Sequence, residues 1–411
     1  MIRYRIWHLL ALSSLVLVAG CKPLPQDQAD RNRVLQQSPN ISHPLAIDGS
    51  VAVAGAAEAA GDVRTVKVGL LLPLTGRNAE LGKAMQDAAT VSLFDKYASL
   101  SVRQQNIRLE LLPRDTGDSP QQVMAAMNQA VADGAQFIIG PLFSDATEAI
   151  APIAQAKNIS VLSLSSNRAR AQNNIYTFGF APQEQTRRVV SYALRHNKTR
   201  IAVLVPDSAL GNTVLTAAVE TIKAAGQNVV AQAKYQPLGT GVESAMSQLI
   251  PPGSKPNFDA LLIPEGGPAL DVLLRALQSR GVTPANTQFL GTGLWDDATL
   301  LRRVGLNGAW LASSPPTLTA QFEDRFRTTY HYTPPRIASL SYDAVALAVT
   351  LITSGRGFEA RYLTNIGGFS GPANGIFRLK PNGLVERGLA VLQINGPTLE
   401  VIENPPTGFT N

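Results

Sequence analysis

Four serines lie in two short segments whose position suits the binding of a small anion. Ser144 begins a predicted helix after one apolar run, and Ser163, Ser165 and Ser166 follow the next apolar run. Backbone amides at a helix N-terminus bind anions, and nearby hydroxyl groups orient them. The alternative is that these serines cap helices or lie in solvated loops. We predict that they line a ligand-binding cleft.

The composition leaves little chemistry for catalysis or metal binding. One cysteine among 411 residues excludes a Cys-rich metal site, and four histidines leave little room for a histidine cluster. No Gly-x-Ser-x-Gly or Gly-Lys-Ser/Thr motif occurs, and Gly291-Thr292-Gly293 lacks the third glycine of a dinucleotide fingerprint. A Ser–His–acid triad assembled in space stays open as an alternative. We expect no enzyme activity, no cofactor and no metal.

Charge and size favour a multidomain globular protein. The 36 Lys+Arg residues against 30 Asp+Glu residues give a net charge of +6, and no basic block is dense enough for nucleic acid. The hydrophobic fraction of 45% supports large cores. We therefore expect two to three domains and no nucleic-acid partner.

The N-terminal segment has the parts of an export signal. Arg3 and Arg5 precede a short apolar run, Leu9 to Val18, and the segment ends Leu17-Val18-Ala19-Gly20-Cys21. This ending resembles the bacterial lipobox, in which the cysteine is lipidated and becomes the first residue. We predict a signal peptide over 1–20 and a lipid anchor on Cys21. The alternative is an ordinary secreted chain with a chance cysteine.

The segment 21–64 is predicted to be a lipidated cysteine followed by a flexible tether. Pro, Gln, Ala, Ser and Asn dominate it, without a sustained apolar period. The alternative is that it packs on the folded body. By resemblance to Gram-negative sorting, Lys22 after the cysteine favours the outer membrane, with the body facing the periplasm.

Apolar strands alternate with amphipathic helices from about residue 65. The first predicted strands are Val66–Leu72, Ile107–Leu112, Gln136–Ile139 and Ile159–Leu164, with helices from Asn78, from Ser119-Pro120 and from about Asp145. This β-α-β-α-β-α-β order is typical of a parallel sheet with right-handed crossovers. It predicts one Rossmann-like lobe.

After a pause at Ile175–Pro182, the alternation resumes in a second predicted lobe. Its strands are Ile201–Val205, Val229–Ala233, Ala260–Ile263 and Gln288–Leu290, with helices from about Glu184, Ala209, Val242 and Pro268. An apolar stretch at Ala309–Ala312 and two helices, Thr319–Tyr330 and Ser339–Thr353, follow. Gly375–Ile402 alternates like a β-meander. The fold class is therefore α/β, with two lobes of parallel sheet.

Several segments fall in the order and spacing of one protein family. They are Val66–Gly76 with Glu80-Leu81-Gly82, Asp115–Pro120, Gly134–Ser144, Ser163–Asn167 and Ala181–Gln185. Over about residues 65–403 the chain resembles type I periplasmic binding proteins, such as the branched-chain amino-acid receptors. The resemblance implies a three-strand hinge with crossings near Pro182, Thr292 and Gly375. Lobe one would be 65–182 plus 293–375, and lobe two 183–292 plus 376–411.

Within that superfamily, the lipobox, Gly140-Pro141-Leu142 and Gly293-Leu294-Trp295-Asp296-Asp297 are most similar to penicillin-binding protein activators. The resemblance implies a non-catalytic envelope lipoprotein that binds and activates a peptidoglycan synthase. Asp296 and Asp297 would then contact the partner.

The alternative is a solute-binding receptor of an ABC transporter for amino acids or related small anions. In such receptors, hydroxyls at the places of the four serines hold the ligand. Glu265 lies where they bind the ligand's ammonium or side chain, and Trp295 would pack over the cleft. Pro141, without an amide hydrogen, and Leu142, without a hydroxyl, disfavour an amino acid. A third possibility is a small ligand that gates the partner contact.

Overall fold

Two sheets organise the chain in the computed structural model, which describes residues 63–101, 106–237, 241–302 and 304–409. The predicted signal peptide, Cys21 and all of the predicted tether except 63–64 lie outside the described residues. Arg64, assigned above to the tether, begins the first strand.

The first sheet is parallel and has the strand order β2-β1-β3-β4-β5. Its strands are β1 Arg64–Leu72, β2 Ile107–Asp115, β3 Phe137–Ile139, β4 Ser160–Ser163 and β5 Ile175–Thr177. The helices between them are α1 Ala79–Ala98, α2 Pro120–Ala132 and α3 Ser144–Ala156. Ser119 caps α2 by accepting a hydrogen bond from the Gln122 amide, and Pro120 is its first residue, as predicted.

The chain then crosses to a second sheet. Its first elements are α4 Pro182–Arg195, β6 Ile201–Pro206, α5 Ala209–Ala224, β7 Ala231–Tyr235, α6 Val242–Leu249, β8 Ala260–Leu262, α7 Gly267–Ser279, β9 Gln288–Gly291, α8 Ala298–Leu301 and β10 Trp310–Ser313. The strand order is β15-β14-β10-β9-β8-β6-β7, where β14 and β15 are the antiparallel C-terminal strands described below.

From β10 the chain returns to the first lobe and crosses once more near its end. The returning elements are α9 Pro316–Tyr330, α10 Ala338–Thr353, α11 Ala360–Leu363, β11 Phe369–Gly371, β12 Gly375–Leu379 and β13 Val385–Arg387. The strands β14 Ala390–Asn395 and β15 Thr398–Glu403 then complete the second sheet. Strands β11, β12 and β13 form a small antiparallel sheet.

Each lobe has apolar cores of its own. In the first lobe, α10 is buried along nearly its whole length and packs with α1 against the sheet. Burial on all sides explains why α10 reads as a continuous apolar run, not as an amphipathic stripe. In the second lobe, the core joins strands β6 to β10 with α6 and α7.

The structure confirms the α/β fold with two lobes but corrects two boundaries. Segment 293–313, predicted in lobe one, belongs to lobe two because β10 pairs with β9 and β14. Segment 376–387, predicted in lobe two, belongs to lobe one because Phe377, Leu379 and Val385 join its core. The crossings therefore lie near 178–182, 313–316 and 387–390. The predicted meander is split between two sheets.

Candidate functional site

A cavity of about 450 Å³ lies between the lobes, where the crossings begin. It is lined by Ser166, Arg336 and Ile337 of the first lobe, by Leu210, Gln185, residues 292–294, Asp296 and Asp297 of the second, and by Phe180, Pro182 and Ser313 of the crossings. Loops at the carboxyl ends of parallel strands meet here, as in other α/β folds. The volume falls within the usual range of about 300–1,000 Å³ for small-molecule sites.

The charged centre of this cavity is an ion pair between the lobes. Arg336 Nε lies 3.3 Å from Asp296 Oδ2, and Ser313 Oγ donates a 2.7 Å hydrogen bond to the same oxygen. The guanidinium of Arg336 also lies over the Phe180 ring, 4.6 Å from its centroid. Asp296 is therefore engaged within the chain, and its predicted role as a partner contact stays a proposal.

The predicted serines are divided between buried and cavity positions. Ser163 is fully buried and shares a 2.7 Å hydrogen bond with Thr147 Oγ1. Ser165 is 5% exposed and accepts a hydrogen bond from the Asn167 amide. Both hydroxyls tie the loop after β4 to itself and to α3.

Ser144 and Ser166 lie nearer to the surface. Ser144 Oγ accepts hydrogen bonds from Asn167 Nδ2 at 2.7 Å and Arg170 Nε at 3.3 Å, so it links the start of α3 to the next loop. Ser166 is exposed and lines the cavity. Among the four serines, Ser166 alone lines the cavity between the lobes.

Glu265 and Trp295 form a structural unit inside the second lobe. Trp295 is fully buried in its core and donates a 2.8 Å hydrogen bond from Nε1 to the Glu265 carbonyl. The Tyr235 hydroxyl donates to Glu265 Oε2 at 2.6 Å. Burial and this carboxylate raise the pKa of Tyr235, which keeps the phenol protonated. The expectation that Trp295 packs over the cleft is wrong.

Asp297 caps a short helix at the mouth of the cavity. Its Oδ1 accepts hydrogen bonds from the amides of Thr299 at 2.8 Å and Leu300 at 3.3 Å, which start α8. The hydrogen bond from the Thr299 side chain lowers the pKa of Asp297, partial burial acts in the opposite direction, and the net pKa lies below its usual value. The carboxylate is ionised at neutral pH, and the residue is exposed.

The sequence prediction missed Arg336 and Phe180. Arg336 follows two prolines between α9 and α10, and Phe180 lies in the first crossing. Neither position belongs to a motif or a helical stripe. A prediction would have needed to show that Arg336 faces Asp296 across the cavity, and no local pattern in the sequence indicates this.

In the described ranges, no cluster of three or more His, Cys, Asp or Glu side chains has the arrangement of a metal site. No helix in the described part of the chain has the length and apolarity needed to span a membrane.

Comparisons with known proteins agree with this geometry. A family model for periplasmic binding proteins matches residues 65–398. A crystal structure described as a branched-chain amino acid ABC transporter from Rhodospirillum rubrum superposes with a TM-score of 0.73 at 19% identity, covering 82% of this chain and 100% of that one. At this identity the superposition shows the fold.

Two kinds of curated relative match at low identity. The penicillin-binding protein activator LpoA of Yersinia pseudotuberculosis is 28% identical over 201 residues, 41% of this chain and 30% of that protein. The leucine-, isoleucine-, valine-, threonine-, and alanine-binding protein of Pseudomonas aeruginosa is 24% identical over 247 residues, 59% of this chain and 64% of that protein. The chain spans about a third of the length of the first curated relatives it matches.

Proposed function

Because the chain belongs to the periplasmic binding protein family, we propose that it is a non-catalytic envelope lipoprotein whose two-lobed body binds and activates a peptidoglycan synthase. The similarity to penicillin-binding protein activators supports this choice of partner. Activation would be allosteric, since a protein that binds the active state of an enzyme more tightly raises its population.

One observation carries the proposal. The polar groups predicted to hold a small ligand are, except for Ser166, engaged by the chain itself: Ser144 and Ser165 by Asn167, Ser163 by Thr147 and Glu265 by Tyr235. A receptor for an amino acid needs such groups to face its cleft, because a buried ligand charge must be paired. A body that binds a protein partner has no such requirement.

The test combines the full chain with purified penicillin-binding proteins of its own organism. We expect one of them to bind and its glycan polymerisation or cross-linking rate to rise until the site is saturated. The matched control is the same synthase with a heat-denatured sample of the chain. Absence of both binding and rate change with every synthase would overturn the proposal.

The second candidate is a solute receptor, which the 450 Å³ cavity with Arg336 and Ser166 favours. A thermal-shift screen of the full chain against pooled amino acids and cell-wall fragments separates the two. A ligand at 100–1,000 times its Kd stabilises a protein by about 2.7–4.1 kcal/mol, a shift of several degrees. A clear shift with free amino acids supports the receptor. No shift in any pool supports the activator.

The lipid anchor has a test of its own. We propose that Cys21 carries the acyl chains that hold the body at the outer membrane, on its periplasmic side, since two or more chains give stable anchoring. Cys21→Ala is expected to move the protein from the membrane fraction to the soluble fraction. If the variant sediments with the membranes to the same extent as the natural chain, the proposed lipid anchor is wrong.

A further inference from the structure

Within the part of the chain that the structure describes, two ion pairs join the lobes. Arg336 of the first lobe pairs with Asp296 of the second, and their side chains are 21% and 16% exposed. Arg168, in the loop after β4, pairs with Glu184 in the first turn of α4, and these side chains are 22% and 24% exposed. Exposed ion pairs contribute little to stability, but shielding from water strengthens the attraction between charges.

Arg336 is held from behind by a polar chain inside the first lobe. Its terminal nitrogen donates 2.7 Å hydrogen bonds to Asn374 Oδ1 and Ser339 Oγ. Asn374 Nδ2 in turn donates to Asp343 Oδ2 at 2.8 Å, and Asp343 is fully buried. These contacts fix the guanidinium so that its Nε faces Asp296.

Glu184 is held in a comparable way on the second lobe. Arg187, one turn further along α4, lies 3.4 Å from the same Glu184 oxygen, and its other nitrogen pairs with Glu220 of α5 at 3.0 Å. Each pair therefore joins a side chain that is already fixed in one lobe to a partner in the other. Fixed partners lose little side-chain entropy on pairing.

We propose that these two ion pairs act as a latch, which holds the lobes in the arrangement seen here through contacts of the chain itself. When the latch is formed, the ion pair between Arg336 and Asp296 lies in the cavity. A partner surface that extends over both lobes is then formed permanently. The latch explains how a binding-protein fold could serve a protein partner. Only this link to a partner rests on the proposed function, whereas the latch itself rests on the ion pairs.

The test measures the distance between the lobes. In the full chain with Cys21→Ser, which removes the one cysteine of the sequence, Gln121→Cys on α2 and Thr216→Cys on α5 place one exposed spin label on each lobe. We expect a single narrow distance distribution. The latch-free variant carries Arg168→Gln and Arg336→Gln in addition. We expect at least about ten times as many molecules with a different distance between the two labels, because charge-assisted hydrogen bonds are lost.

The matched control breaks an ion pair inside one lobe. Arg280 pairs with Glu243 at 2.9 Å between α7 and α6, so Arg280→Gln is expected to leave the distribution unchanged. A latch-free variant whose distribution superimposes on that control overturns the latch. If the double variant fails to fold, the exchange of charges by Arg168→Glu with Glu184→Arg serves instead, and it should keep the narrow distribution that Arg168→Glu alone loses.

The same variants separate the latch from the proposed function. Reduced synthase activation by the latch-free variant is the expected result. If the latch-free variant has a changed distance between the lobes but activates the synthase fully, the latch exists but has no role in activation. A natural chain that binds no synthase overturns the proposed function, while the distance measurement still decides the latch.

Discussion

The interiors of the two lobes differ in what they bury. Among the described residues, the buried charged side chains Asp87, Asp343 and Arg387 all belong to the first lobe. The second lobe buries large uncharged side chains, among them Trp295 and Tyr235. Buried charge destabilises a protein unless it is paired, so its confinement to one lobe calls for a reason.

For Arg387 the reason lies in the crossings. Arg387 ends β13, just before the last crossing, and donates a 2.5 Å hydrogen bond to the Phe178 carbonyl in the first crossing. Its guanidinium lies over the Phe178 ring, 4.2 Å from the centroid, and burial lowers its pKa to about 10 while Asp343 acts in the opposite direction. The side chain is thus charged at neutral pH. The first lobe uses buried charge to order the hinge and Arg336, whereas the described part of the second lobe has no buried charged side chain.

The largest effect is expected where this charge is removed. Arg387→Met should lower the free energy of unfolding by about 2–4 kcal/mol, because the buried Phe178 carbonyl loses a charged donor and the buried Asp343 loses the attraction of a nearby cation. Urea unfolding measures the loss. The double variant with Asp343→Asn is expected to recover part of the loss, since the side chain at 343 is then uncharged. A single variant within about 1 kcal/mol of the natural chain would refute a stabilising role of the Arg387 guanidinium.

In the second lobe, the matching substitution removes side-chain volume from the apolar core. Trp295→Phe should cost about 1–3 kcal/mol, because it leaves a small cavity and an unpaired Glu265 carbonyl. Trp310→Phe is the matched control: this indole is half-buried and donates to Gln393 Oε1 at 3.1 Å, so a smaller loss is expected. If both variants lose the same free energy of unfolding, the deeper burial of Trp295 does not contribute to stability.

The order of strands and helices was predictable because each has a local signal. Val66–Leu72 and Ile201–Val205 are apolar runs of strand length, and Ser119-Pro120 carries its helix start in two residues. Lobe membership has no such signal. The run Ala309–Ala312 fits either sheet, and only its hydrogen bonds to β9 and β14 assign it to the second.

The site was harder to predict because its side chains act through distant partners. Spacing predicted one role for all four serines. Ser166 lines the cavity, whereas Ser163 faces Thr147, and Trp295 faces the core. A serine after a strand has the same sequence pattern whether its hydroxyl faces a ligand or a neighbouring helix. The distinction depends on side-chain direction, which is set by packing.

An acidic residue at the edge of the first sheet gives a pH-dependent contrast to the buried charges. Burial raises the pKa of Asp115, but hydrogen bonds from Thr75, Gly117 and Leu74 outweigh it and bring the pKa below its usual value. Such a group stabilises the fold above its unfolded pKa of about 3.9, and the contribution is lost as pH falls through the folded value.

Asp115→Asn is therefore expected to cost about 1–2 kcal/mol at neutral pH and progressively less below about pH 4. Urea midpoints of both proteins at pH 7 and pH 3 measure this. Asp118→Asn, at an exposed carboxylate of the same loop, is the control and should show a smaller difference. If the urea midpoints of the natural chain and the Asp115→Asn variant differ by the same amount at both pH values, the negative charge of Asp115 is not the source of the stabilisation.

The smallest expected effect separates structure from partner binding at the mouth of the cavity. Asp297→Ala removes the cap of α8 and should cost about 0.5–1 kcal/mol. Asp297→Asn retains the cap, because asparagine caps helices as well as aspartate does, and removes the charge. If Asp297 contacts the synthase through its charge, both variants weaken binding although only the alanine variant is less stable. Weakening confined to Asp297→Ala would trace the effect to α8 itself and refute the predicted contact.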